Sequence, residues 1–126
     1  MKILTLITRI LLGIAFLFFG LNGFFFFIKP GPMPPSPGTD FATILLNSHW
    51  SQIVAAIQII SAVFFLINRF VPLALTLIGP VLVNILLFHI LLMPQGIAPG
   101  AVLTICWLIV FLAHRAAFTG IFAAKS

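Results

Sequence analysis

Residues 69–89 read R-F-V-P-L-A-L-T-L-I-G-P-V-L-V-N-I-L-L-F-H, and this stretch decides the fold. Asn68 to Val71 leave room only for a tight turn. Pro72 then suits the first turn of a helix, where a missing N–H is no loss. The apolar run that follows has about the 20 residues a helix needs to cross a bilayer. Pro80 falls in its middle, Asn84 one turn later and His89 near its far end. Thr76, Pro80 and Asn84 share one helix face. Pro80 removes the hydrogen bond that the Thr76 carbonyl would receive, so a kink is expected, with Asn84 or a water satisfying the freed oxygen. Thr76 and Asn84 are expected to join this helix to its neighbours. His89 is five residues from Asn84, which puts it on a different face.

Composition extends that reading to the whole chain. Of 126 residues, 63% are hydrophobic and 6% charged, with mean hydropathy +1.34. Soluble domains carry about 25% charged residues, so this chain cannot cover a water-facing surface, and lipid is its expected solvent. The net charge is +5, with Asp40 the only acid. The basic residues are scattered, without the stripe that nucleic acid requires, and read as anchors that orient helices. The single cysteine, Cys106, excludes an intrachain disulfide and a C-x-x-C redox pair, and reads as packing filler.

Spans are expected at about 3–28, 51–67, 72–92 and 99–118, joined on one side by a Pro-rich outer loop at 29–40. The fold expected is an all-α integral membrane four-helix bundle. The first run is too long for a signal-peptide core and is read as retained. Arg9, Gly13, Phe16, Gly20, Gly23 and Phe27 share a face whose small residues admit a close neighbour; Asn22 points away from it. Proline density from Lys29 to Gly38 forbids a helix and favours a stiff extended connector. Thr39 and Asp40 offer an N-cap for a short interfacial helix at 41–48, with His49 and Trp50 as anchors beyond it. In the second span Ser51, Ala55, Gln58, Ala62, Phe65 and Arg69 share a face, and Gln58 at mid-depth must meet another helix. An even span count puts Lys2, Arg9, Arg69, Arg115 and Lys125 on one side and Lys29 with Asp40 on the other. The positive-inside rule then places both termini in the cytoplasm.

R-x-x-L-G-x-x-F-x-F-x-G-L-N-G at Arg9 to Gly23, M-P-P at Met33 to Pro35, the Asn68–Pro72 junction and P-V-x-x-N-x-x-x-F-H at Pro80 to His89 together resemble the DoxX family of small four-helix bacterial membrane proteins. The resemblance covers most of the chain. It implies a bacterial inner membrane location and an accessory subunit of a redox, sulfur or oxidative-stress complex, one that contacts quinone in some members. Many relatives carry E-x-x-G-G in the second span, where this chain has Gln58, Ser61 and Ala62. An amide does not titrate near neutral pH, so a proton-relay role does not transfer, whereas a hydrogen-bonding role does.

The candidate ligand residues are Asn22, His49, Gln58, Asn84 and His89, grouped as a cavity on the outer side whose amides and imidazoles would suit the carbonyls of a quinone. The competing reading of the three amides is interhelical glue. His114, beside Arg115, is expected to touch headgroups. Arg9, Arg69 and Pro80 are structural: Arg9 snorkels to the near headgroups, with Gln58 or the closing carbonyls of the second span as alternative partners. No two histidines have ligand spacing, so no metal site is expected. The expected partners are the bilayer and a soluble oxidoreductase or other membrane subunits, with no nucleic acid; a homo-oligomer stays open. The alternatives are a non-enzymatic membrane scaffold, or a small dimeric transporter hinged at Pro80.

Overall fold

The turn at Asn68–Phe70 sets the direction of everything around it. Asn68 (φ 56°) and Phe70 (φ 57°) both take the left-handed conformation. Asn tolerates it because its short amide hydrogen-bonds locally; a bulky Phe adopts it only where surroundings impose it. The N–H groups of Asn68 and Arg69 close the preceding helix on the Phe64 carbonyl, while the Phe70 carbonyl receives the Ala74 N–H and opens the next. The Phe70 ring packs on Phe64, centroids 5.3 Å apart. Two antiparallel helices result from three residues.

The computed structural model describes residues 2–25, 34–122 and 124. It is all-α, with no strand among the described residues. The elements are α1 (Lys2–Phe25), α2 (Pro37–Asn47), α3 (Trp50–Ile67), α4 (Val71–Leu91) and α5 (Ile97–Ala113), with 3-10 turns at Pro94–Gly96 and Arg115–Phe122. Four helical segments, the last running Pro94–Ala113, are long and apolar enough to cross a membrane. They pack in cyclic order α1, α3, α4, α5, with α5 closing against α1. Leu12, Phe16, Phe65, Leu75, Ile78, Cys106 and Val110 fill the centre. The outward faces carry exposed Ile7, Ile14 and Phe18 on α1, Ile53 and Ile60 on α3, Val83 and Leu87 on α4, and Val102, Ile105 and Leu108 on α5.

The glycine face of α1 is seated as its spacing suggests. A Cβ on Gly20 would lie 2.9 Å from the Ala55 carbonyl oxygen and 2.6 Å from Ile59, and one on Gly13 would lie 3.3 Å from the Ala62 carbonyl oxygen. The α1 and α3 backbones touch there, and dispersion between them takes the place of side-chain packing. Phe27, and residues 26–28 of the expected first span, lie outside the described residues, as do 29–33 of the loop.

Three boundaries differ from expectation. The short helix α2 starts at Pro37, not after Thr39 and Asp40: the Ser36 side chain accepts the Thr39 N–H and Pro37 fills the first turn. A proline is excluded from a helix interior but not from its N-terminus, so proline density alone misplaced this start. α2 lies over the end of α4, with the Phe41 and Phe88 rings 5.7 Å apart. Helix α5 begins at Ile97, two residues before the proline expected to open it, and Pro99 sits in its first turn. It ends at Ala113 rather than 118. His114 Nδ1 donates to the Val110 carbonyl (2.9 Å) and Arg115 Nη1 to the Leu112 carbonyl (2.8 Å). Basic side chains capping the last carbonyls end the helix. Phe118 then folds back onto Phe111 and is buried.

Candidate functional site

The residues expected to form an outer ligand cavity are spread over separate surfaces. His49, exposed between α2 and α3 with φ 63°, has Nδ1 3.1 Å from Gln52 Oε1. Gln58 is half-buried on α3 between buried Ala55 and Ala62, on the face that meets α1. Asn22 is half-buried near the far end of α1. His89 donates from Nδ1 to the Ile85 carbonyl (2.8 Å) and lies against the Gly96 backbone, where a Cβ would fall 2.7 Å from its ring. Asn84 is exposed on the outer face of α4.

Asn84 corrects one expectation. Its Nδ2 donates to the Pro80 carbonyl (2.9 Å), not to the Thr76 oxygen that Pro80 leaves open. Side chains on a helix lean back toward its N-terminus and reach the carbonyl four residues earlier, never eight. Thr76 does the same, donating to Pro72 (2.9 Å). Thr76, Pro80 and Asn84 share a face as their spacing requires, but the face is exposed, and among the described residues the bonds of Thr76 and Asn84 stay within α4. The joint between α4 and α5 is made by Trp107, which sequence reasoning passed over. Its Nε1 donates to the Leu75 carbonyl (3.0 Å), its ring lies on Gly79 and it stacks on Phe111 at 5.1 Å.

Arg9 corrects a second. It does not snorkel outward: it is 8% exposed, and Nη1 donates to the Phe65 carbonyl, the alternative partner at the end of α3. That oxygen is among the last four of α3, which have no partner within the helix. A buried guanidinium meets the negative end of a helix dipole there.

Arg9 also backs a cavity lined with basic residues. This cavity, about 650 Å³, opens at the end of the bundle where α1 begins, α3 turns into α4 and α5 ends. Lys2, Arg9, His114 and Arg115 line it with Asn68 and Thr5. The His114 and Arg115 bonds to α5 carbonyls fix one wall; the Phe65 bond fixes Arg9 behind it. Asp40, the chain's only acidic side chain, is on α2, whose Gly38 packs on Leu92 at the opposite end. Even-span arithmetic had already put Lys2, Arg9 and Arg115 at one end; their convergence on one cavity required the bundle's cyclic packing. A second, apolar groove of about 350 Å³ lies between α1 and α5, lined by Ala15, Phe19, Ala98, Pro99, Val102 and Leu103. None of the five outer candidates lines either cavity. Among the described residues no cluster of His, Cys, Asp or Glu is arranged to hold a metal.

Bundle and site together define an all-α protein of four long apolar helices with a basic cavity at one end. No family model matches the chain, and no curated protein or solved structure is detectably similar to it.

Proposed function

We propose that this chain is a multi-pass protein of a bacterial inner membrane, with both termini in the cytoplasm. The belt of exposed Ile, Leu, Val and Phe around all four long helices supports embedding, because water does not tolerate a continuous apolar surface of that extent. The basic cavity supports the orientation, since the end rich in Lys and Arg faces the cytoplasm. Within the membrane we read the protein as a DoxX-like accessory subunit of a redox, sulfur or oxidative-stress complex, holding a soluble oxidoreductase rather than performing chemistry of its own. One observation carries the accessory role. Six polar side chains of the long helices are given to backbone carbonyls: Arg9 on Phe65, Thr76 on Pro72, Asn84 on Pro80, His89 on Ile85, Thr104 on Gly100 and Trp107 on Leu75. Two of these bonds, from Arg9 and Trp107, join neighbouring helices and the other four stay within their own helix, which leaves the basic end as the chemically distinctive surface.

The test is affinity purification of the tagged full-length chain in mild detergent. A stoichiometric soluble oxidoreductase in the eluate supports the accessory role. A chain that purifies alone and binds a quinone analogue by itself overturns it in favour of a direct quinone site. Asn84 is the observation on that side, exposed at mid-helix with an amide N–H beyond the one given to Pro80. A quinone site there would lose affinity in Asn84→Leu or His89→Leu.

A further inference from the structure

The basic cavity and the apolar groove are both lined by residues of α1 and α5, and this α1–α5 seam is where they neighbour each other along the bundle. Both are bounded by α1 and α5: Lys2, Arg9, Leu112 and Arg115 at one end, Ala15, Phe19, Val102 and Leu103 farther along. At 1.5 Å per residue, the groove begins about 9 Å from Arg9 (six residues, to Ala15) and reaches about 15 Å (ten residues, to Phe19). Half the hydrocarbon thickness of a bilayer is also about 15 Å. We propose that the seam binds one anionic phospholipid of the cytoplasmic leaflet, its phosphate in the basic cavity and an acyl chain in the groove. The proposal rests on the membrane reading above.

The head-group site has three formal positive charges, from Lys2, Arg9 and Arg115, and no carboxylate side chain to neutralise them. Arg9 is the informative member. A cation this buried requires a countercharge or hydrogen-bond acceptors, and a single carbonyl occupies one of its five N–H donors. Arg9 itself lines the cavity. A guanidinium fork matches two phosphate oxygens in a way an ammonium does not. Lys2 and Arg115, exposed at the rim, add charge at the mouth, and Asn68 and Thr5 add neutral polar groups. His114 has given its Nδ1 proton to Val110, so its Nε2 donates to an anion only when the ring is protonated. Free phosphate would satisfy the same donors. The groove favours the lipid, because none of its six lining residues is charged or polar and a free anion has no use for it. Basic pockets between helices on the cytoplasmic side have the composition that recognises anionic head groups.

The experiment is native mass spectrometry of the full-length protein released from mixed vesicles of phosphatidylcholine and phosphatidylglycerol. The expected result is one retained phosphatidylglycerol, favoured over phosphatidylcholine. The Lys2→Gln/Arg115→Gln double variant keeps Arg9 and its bond to Phe65 in place, and should reduce that preference by roughly thirtyfold, two surface cation contacts. Asp40→Asn, at the opposite end, should leave it unchanged. Val102→Trp fills the groove and should weaken retention of long-chain phosphatidylglycerol while sparing a six-carbon-chain analogue. Equal retention of the two lipids, or a preference that survives the double variant, overturns the site. Displacement by micromolar inorganic phosphate, with Val102→Trp silent, assigns the cavity to a free anion and overturns the lipid. A chain recovered from cells without membranes would sink both this proposal and the membrane reading. A membrane-inserted chain with no lipid preference would sink this one alone.

Discussion

Arg9 donates a hydrogen bond to the carbonyl of Phe65, so a charged group on α1 caps the end of α3. The bond joins residues 56 apart in sequence and lies against the basic cavity. Arg9→Leu should therefore lower stability by about 1–3 kcal/mol, the cost of stranding a buried carbonyl. Arg9→Lys, which can donate but not fork, should recover part of that. Thermal unfolding of the purified protein in detergent reads both; an Arg9→Leu variant as stable as the parent would mean that the carbonyl finds another donor.

Gly20 tests the contact between α1 and α3. A Cβ there meets the Ala55 carbonyl oxygen at 2.9 Å, and backbone cannot swing aside as a side chain can. Gly20→Leu should cost at least about 1–3 kcal/mol from overpacking and force the two helices apart. Gly120→Ala is the control: nothing lies within 4 Å of its Cβ position, and stability should change by less than about 0.5 kcal/mol. A cysteine pair placed across the α1–α3 contact would report the separation as lost cross-linking.

Trp107→Phe keeps an aromatic ring over Gly79 and beside Phe111 but removes the N–H given to Leu75. The expected loss is about 1 kcal/mol, the net value of one hydrogen bond. Trp107→Ala also empties the space the ring fills and should cost about 3–5 kcal/mol. Equal losses in the two variants would show that the ring's packing contributes little.

Asn84→Leu should leave stability within about 1 kcal/mol of the parent. Asn84 is exposed, and its bond to Pro80 stays within one helix. A larger loss that grows on dilution of the protein would show that Asn84 instead binds a second chain, where interhelical amide bonds are worth roughly 0.6–2 kcal/mol.

The sequence showed most where one residue type has one physical use. Gly13 and Gly20 at helical spacing implied a close neighbour, and α3 is that neighbour. Asn68 and Pro72 implied a tight turn, and the turn is there. Residues that can act in two directions were harder to read. Arg9 can reach outward or inward, and the choice depended on the end of α3 arriving beside it. Thr76 and Asn84 fell on the expected face, but periodicity does not say whether a face turns toward a neighbour or away from all of them. Trp107 gave no signal because its partner is a backbone oxygen on another helix, a feature every residue has. The same holds for the basic cavity: shared sidedness was legible, convergence was not.

The cyclic packing has a consequence for how the chain is made. Helix α5 sits between α1 and α4, and it is synthesised after both. Until Leu103, Cys106 and Val110 arrive, the inner faces around Leu12 and Leu75 border a vacant slot about 10 Å wide, the diameter of one helix. Without α5 those faces have no neighbour on that side, so α5 completes the core that the earlier helices begin.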